Sequence, residues 1–185
     1  MCWEEDNTAV EAALTDQQEE NDSIKTEVML LKSGLELIKG DIMRNEHYTR
    51  RNNIKIYDLA ENIGESCVDT VQTLVRDKMK IEITPEQIAV THRIFGRPNK
   101  PRPIIVRFEQ HDVKFAVLKQ RRQLNDTGVS IHEDLVKAVS DKLLAIKEKE
   151  ECVDAWAWNG KILIKNHKDK IHKFTYGTGI LDPFC

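Results

Sequence analysis

The chain has 185 residues, 40% of them hydrophobic and 32% charged, with a net charge of −3. That length holds one or two small domains plus an extension. It contains no apolar run of the ~18 residues that a membrane helix needs, so no membrane partner is expected. The first ten residues, MCWEEDNTAV, are acidic and lack the apolar segment of a signal peptide. Cys2, Cys67, Cys152 and Cys185 show no CxxC spacing. They read as reduced thiols of a cytosolic or nuclear protein, with neither a disulfide framework nor a metal site.

The charge is divided along the chain. Residues 1–46 carry 12 acids and 4 bases, and residues 47–132 carry 10 acids and 15 bases. Within 87–125, 9 bases stand against 2 acids. A basic middle in an acidic chain predicts an anionic partner, with polyphosphate the first candidate.

The first element is a heptad helix. Ile24, Val28, Leu31, Leu35, Ile38 and Ile42 are spaced alternately four and three apart, which puts all six on one seam. Glu20 with Lys25, and Glu27 with Lys32, fall at positions that pair across such a seam. Residues 1–49 are therefore expected to be a coiled-coil oligomerisation helix. Isoleucine at Ile24 and Ile38 disfavours a parallel dimer and shifts the expectation to a homotrimer. Gly34 and Gly40 each weaken the helix by about 1 kcal/mol relative to alanine.

After Asn52 the apolar period changes to two. NIKIYDL reads as a first strand, and SCVDTVQTLVRDKMKI as a first helix. QIAVTHRIFG reads as a second strand, followed by the proline- and arginine-rich loop RPNKPRP. PIIVRF is a short β-branched third strand, DVKFAVLKQRRQL a second helix and TGVSIHEDL a fourth strand. The order β-α-β-β-α-β over residues 50–132 is the split arrangement of ferredoxin-like domains, with one sheet face left open. Residues 133–185 then give a helix, EDLVKAVSDKLLAIKEKEE, and a hairpin turning at Asn159-Gly160. The fold class is thus α+β, with a small, incomplete C-terminal unit and a weakly patterned stretch after Asn166.

No enzyme is expected. The histidines form no HExxH, and neither GxSxG nor a P-loop is present. His132, Glu133 and Asp134 are adjacent but alternate faces on a strand, and the two acids read as helix-capping residues. No cofactor is implied. As a base-stacking RNA-recognition domain the sequence is also atypical. Lys55 stands where strand one would carry an aromatic, and Ile104 and Ile105 replace the aromatics of strand three. Binding would then run on phosphate contacts. The candidates are Lys55 on strand one, Arg93, Arg97, Lys100 and Arg102 around the loop, Arg107 on strand three, and Lys119, Arg121 and Arg122 at the end of the second helix. Arg50 and Arg51 sit at the end of the long helix, where cations oppose the negative end of its dipole.

HYTRRNNIKIYDLAEN, VTHRIFGRP, PRPIIVRF and VSIHEDL together resemble the first open reading frame protein of LINE-type non-LTR retrotransposons, the transposase 22 family, over about residues 20–165. The resemblance implies a trimerising coiled coil, an RNA-recognition-like domain and a C-terminal domain. It further implies that these bind and chaperone single-stranded RNA, or single-stranded DNA, in cytoplasmic or nuclear ribonucleoprotein particles. It points to Arg107 and Arg122 as contacts and supports Arg97, Arg102, Arg50 and Arg51. The family's basic pair early in its last helix is reduced here to Lys142. Two other expectations stand beside this one: an oligomeric protein-interaction module without nucleic acid, and an inactive decayed fragment.

Overall fold

The computed structural model describes residues 2–159 and 161–175, with side chains from Val10 to Lys173. The expectations for Gly160 of the turn and for residues 176–185 lie outside that description. Contacts divide the chain into two compact units, Met1–Ile42 and Met43–Cys185. Among the described residues no helix is long and apolar enough to cross a membrane.

The first unit lies within one helix, α1, Cys2–Arg50. It extends well upstream of the heptad seam, and both Gly34 and Gly40 are accommodated inside it. Ile24, Val28, Leu31, Leu35, Ile38 and Ile42 are all exposed, Leu31 at 65%.

The second unit carries two antiparallel sheets. The first contains β1 (Asn53–Tyr57), β2 (Ile88–Arg93), β3 (Ile104–Phe108) and β4 (Ser130–Glu133), in the order β2-β3-β1-β4. Helices α2 (Cys67–Met79) and α3 (His111–Lys119) connect them. Strand alternation explains the core. Ile54, Ile56, Ile104, Val106, Phe108 and Ile131 face one way and close on Val71, Val75 and Met79 of α2 and Val117 of α3. Ser66 starts α2 by accepting a hydrogen bond from the Asp69 amide, and Lys80 ends it in the left-handed conformation, φ 57°.

The second helix ends earlier than its sequence suggested. Arg121 and Arg122 leave α3 and lie on a separate 3-10 turn, Arg121–Leu124. A bulge between Ile88 and Val90 shifts the register of β2, so that Arg93 lies opposite the core residue Ile104.

The second sheet, β5 (Cys152–Trp158), β6 (Lys161–Asn166) and β7 (Ile171–Thr175), packs with α4 (Lys137–Lys147). Ala155, Ile162 and Ile164 meet Val139 and Ile146 in a second core. The stretch after Asn166, weakly patterned in sequence, supplies a third strand, so the hairpin is part of a three-stranded sheet. One expectation is corrected here. Glu133 and Asp134 do not cap the last helix, which begins at Lys137 after Val136. Both carboxylates are buried in ion pairs instead.

Candidate nucleic-acid interface

The topology separates the predicted bases before any side chain is considered. In the first sheet, β1 pairs antiparallel with both β3 and β4. The loop after β1, the β2–β3 loop and the 3-10 turn before β4 therefore share one end of the sheet. Arg50 and Arg51 enter at the opposite end. With β1 five residues long, the ends are about 17 Å apart.

At the helix end, the bases serve the fold. Asp134 accepts from Lys55 Nζ at 2.6 Å, Asn53 Nδ2 at 3.1 Å and Arg50 Nη1 at 3.2 Å, with its own side chain 2% exposed. Burial pushes its carboxyl pKa up, but the hydrogen bonds from Lys55 and Asn53 and the charges of Lys55 and Arg50 outweigh that and hold it below the usual value. Arg51 lies with its guanidinium 3.9 Å over the Tyr48 ring, and its carbonyl accepts from Lys114 Nζ at 2.7 Å. The sequence brought Arg50, Arg51 and Lys55 together as contacts. The structure puts Arg50 and Lys55 on one buried acid and Arg51 on an aromatic ring.

At the loop end, three ion pairs run in parallel. Lys100 meets Asp58 at 3.1 Å, Arg102 meets Glu61, and Arg93 meets Glu65 at 2.6 Å. Arg93 also donates to the carbonyls of Leu59, Ala60 and Arg102, and its side chain is 5% exposed. The bulge in β2 turns it away from the open sheet face, so it braces the loops from within. Arg97 is exposed and forms no ion pair among the described residues.

The open face of the sheet carries a row His92, Ile105, Lys55 and His132, fixed by the strand register. Arg107 lies in the next row, opposite Asn53 and Val90, exposed and without an ion pair among the described residues.

The remaining bases converge on a cleft between the 3-10 turn, β4, α4 and β5. Its larger cavity, about 250 Å³, is lined by Arg121, Arg122, His132, Lys147 and Trp156, among others. Asp154 and Glu133 reach it too, Glu133 being paired with Lys114 at 2.8 Å. A second cavity of about 240 Å³ adds Lys119, Trp158 and Leu163 to Arg121, Arg122 and Trp156. The Arg121 guanidinium stands 5.6 Å from the Trp158 ring, and Trp158 meets Phe115 edge-on at 5.3 Å. Burial lowers the His132 pKa, and the charges of Arg121 and Lys147 lower it further, so its ring is neutral near pH 7.

This cleft can take a chain of phosphates with rings beside it, since guanidinium groups bind phosphate in a fork and aromatic faces stack on bases. Sequence reasoning placed Lys119, Arg121 and Arg122 in the set but missed His132, Lys147 and Trp156. The one available signal was Trp-x-Trp before Asn-Gly, which puts two indoles on the same face of a hairpin. Among the described residues no group of histidines, cysteines and acids could hold a metal ion. No family model matches the chain, and no curated protein matches it.

Proposed function

We propose that the chain binds single-stranded nucleic acid, RNA in the first instance, through the cleft of Lys119, Arg121, Arg122, Lys147 and Trp156. One observation carries this reading. Arg121, Arg122 and Lys119 form no ion pair among the described residues, and they meet two tryptophans around open cavities. Most other predicted bases are already matched to acids. Arg107 and Arg97 extend the path over the open sheet and towards the loop.

The strand order β2-β3-β1-β4, with α2 and α3 on one core, supports a ferredoxin-like first domain. The exposed seam from Ile24 to Ile42 supports oligomerisation of α1 as a coiled coil, with a trimer the preferred number. Several copies would then hold one strand with affinity exceeding that of a single cleft. Coating and chaperoning of an element's RNA follows from the likeness of HYTRRNNIKIYDL and PRPIIVRF to LINE-type proteins.

The test is anisotropy of a labelled unstructured RNA at several salt concentrations, with the wild type and Arg121→Ala/Arg122→Ala. Two lost phosphate contacts should flatten the log–log salt slope by about 1.4. Absence of binding by the folded, oligomeric wild type at low salt would turn the assignment towards a protein-interaction module.

A further inference from the structure

The loop end carries an aromatic that no fold requirement explains. Phe95 is fully exposed, with a relative exposure of 103%. A phenylalanine in that state gives up the burial of a whole aromatic side chain. Its loop is nevertheless tightly held. The Ile94 amide donates to the Pro103 carbonyl at 2.8 Å. A side chain at Gly96 would meet Pro103 Cδ at 2.8 Å, so the two limbs of the loop pass too closely for any residue but glycine. The three ion pairs Asp58–Lys100, Glu61–Arg102 and Glu65–Arg93 tie it to the loop after β1. Phe95 thus projects from a rigid base, and ordering it for a ligand costs little further entropy.

Charge decides which ligand. The β2–β3 loop region holds Arg93, Arg97, Lys100 and Arg102, and three of these are neutralised by the three acids of the neighbouring loop. The remaining positive charge is Arg97, two residues from Phe95 and exposed. An exposed ring two residues from an exposed guanidinium that forms no ion pair among the described residues fits a nucleotide: the base on the ring, the phosphate on the arginine.

We propose that Phe95 is a stacking platform for an unpaired nucleobase, with Arg97 taking the adjoining phosphate, as a subsite separate from the tryptophan-lined cleft. This rests on the nucleic-acid reading above. The strand-end topology places the subsite at the same end of the sheet as Arg121 and Arg122, on the edge away from β4. A strand leaving the cleft would cross the face of the sheet along the row of His132, Lys55, Ile105 and His92 to reach it.

The test is an unstructured 20-nucleotide RNA carrying 2-aminopurine, whose fluorescence is quenched on stacking. It would be titrated with the full chain and its Phe95→Leu, Phe95→Trp and Arg121→Ala/Arg122→Ala variants. Phe95→Leu should weaken binding up to about tenfold and remove part of the quenching, while leaving the salt slope unchanged. Phe95→Trp should keep both. Equal quenching and affinity in Phe95→Leu would overturn the platform and leave Phe95, with the fully exposed Ile63, as an apolar contact for another protein. Loss of binding in the arginine variant alone, with Phe95→Leu unaffected, would likewise overturn it while sustaining the cleft. Absence of binding by the wild type would defeat both readings.

Discussion

Lys114 Nζ lies 2.8 Å from Glu133 Oε1, and both side chains are at most 5% exposed. The pair joins α3 to β4. Lys114 also donates to the Arg51 carbonyl, and Glu133 accepts from the Asn159 amide at 3.1 Å. One ionic contact therefore fastens the end of α1, the first sheet and the turn of the second sheet. Its importance comes from desolvation: neither charge has water to return to if its partner is lost.

Lys114→Met should therefore destabilise the second unit by about 3–5 kcal/mol, because Glu133 is left buried with one amide hydrogen bond and its Oε2 has no partner. Lys114→Met/Glu133→Leu should recover most of the loss. Urea unfolding of the single and double variants measures this. A single variant as stable as the wild type would show that the pair is not buried in solution.

Arg93 gives a second test, one that separates structure from binding. It donates to both Glu65 oxygens and to three backbone carbonyls, a set that only a planar fork with several donors satisfies. Arg93→Lys should lower stability by about 2–3 kcal/mol, close to the effect of Arg93→Ala. The hydrogen bond from Arg93 also holds the Glu65 carboxyl below its usual range. Its contribution is present above the ordinary carboxylate pKa and is lost as pH falls through the lowered folded value. Acid unfolding of Arg93→Lys should thus be shallower than that of the wild type. At neutral pH and low temperature, where the variant stays folded, the salt slope of its RNA binding should match the wild type, because Arg93 is held by Glu65 and backbone carbonyls.

The regular parts of this fold were legible because their signals are local. Ile54 and Ile56 announce a half-buried strand by alternation, and Val71, Leu74 and Val75 announce a helix by their spacing. Asn159 marks the turn between β5 and β6. The fate of the basic residues was not legible, since it depends on partners far along the chain. Arg93 and Glu65 are 28 residues apart, and Arg50 and Asp134 are 84 apart. A single bulge in β2 decides which face Arg93 occupies, and no composition rule announces it. Charge counting therefore gave no sign that most bases of the loop and the helix end are paired with acids. Nor could it bring Lys147 and Trp156, from the second sheet and its helix, beside Arg121 and Arg122.

If the cleft binds phosphate as proposed, His132 should make that binding sensitive to pH. Its ring faces the Arg121 and Lys147 charges, meets Tyr57 edge-on at 5.7 Å and lies opposite Lys55 in the strand register. Its folded pKa is lowered, so its stabilising contribution is complete above the ordinary value of 6.5 and declines as pH falls through the lowered one. A phosphate in the cleft reverses the local field and favours the imidazolium, so binding takes up a proton. RNA affinity should rise between pH 7.5 and 6, by several-fold at low salt, and His132→Gln should flatten that rise. An affinity independent of pH in the wild type would place the phosphates elsewhere.

The last prediction concerns α1. Leu31 and Ile38 are 65% and 57% exposed on a single helix, an apolar load that the helix itself cannot bury. Residues 1–46 also carry a net charge of −8, so association must overcome like-charge repulsion, which salt screens. Oligomerisation should accordingly strengthen with salt, while RNA binding weakens. Leu31→Asp/Ile38→Asp should yield a monomer by sedimentation equilibrium, with the second unit's thermal transition unchanged. Its affinity for a short RNA that one cleft can fill should match the wild type. Its affinity for a long RNA should fall by about a hundredfold or more, because linked sites lose their effective concentration. A wild type that sediments as a monomer at both low and high salt would remove the seam from the account and leave each cleft to act alone.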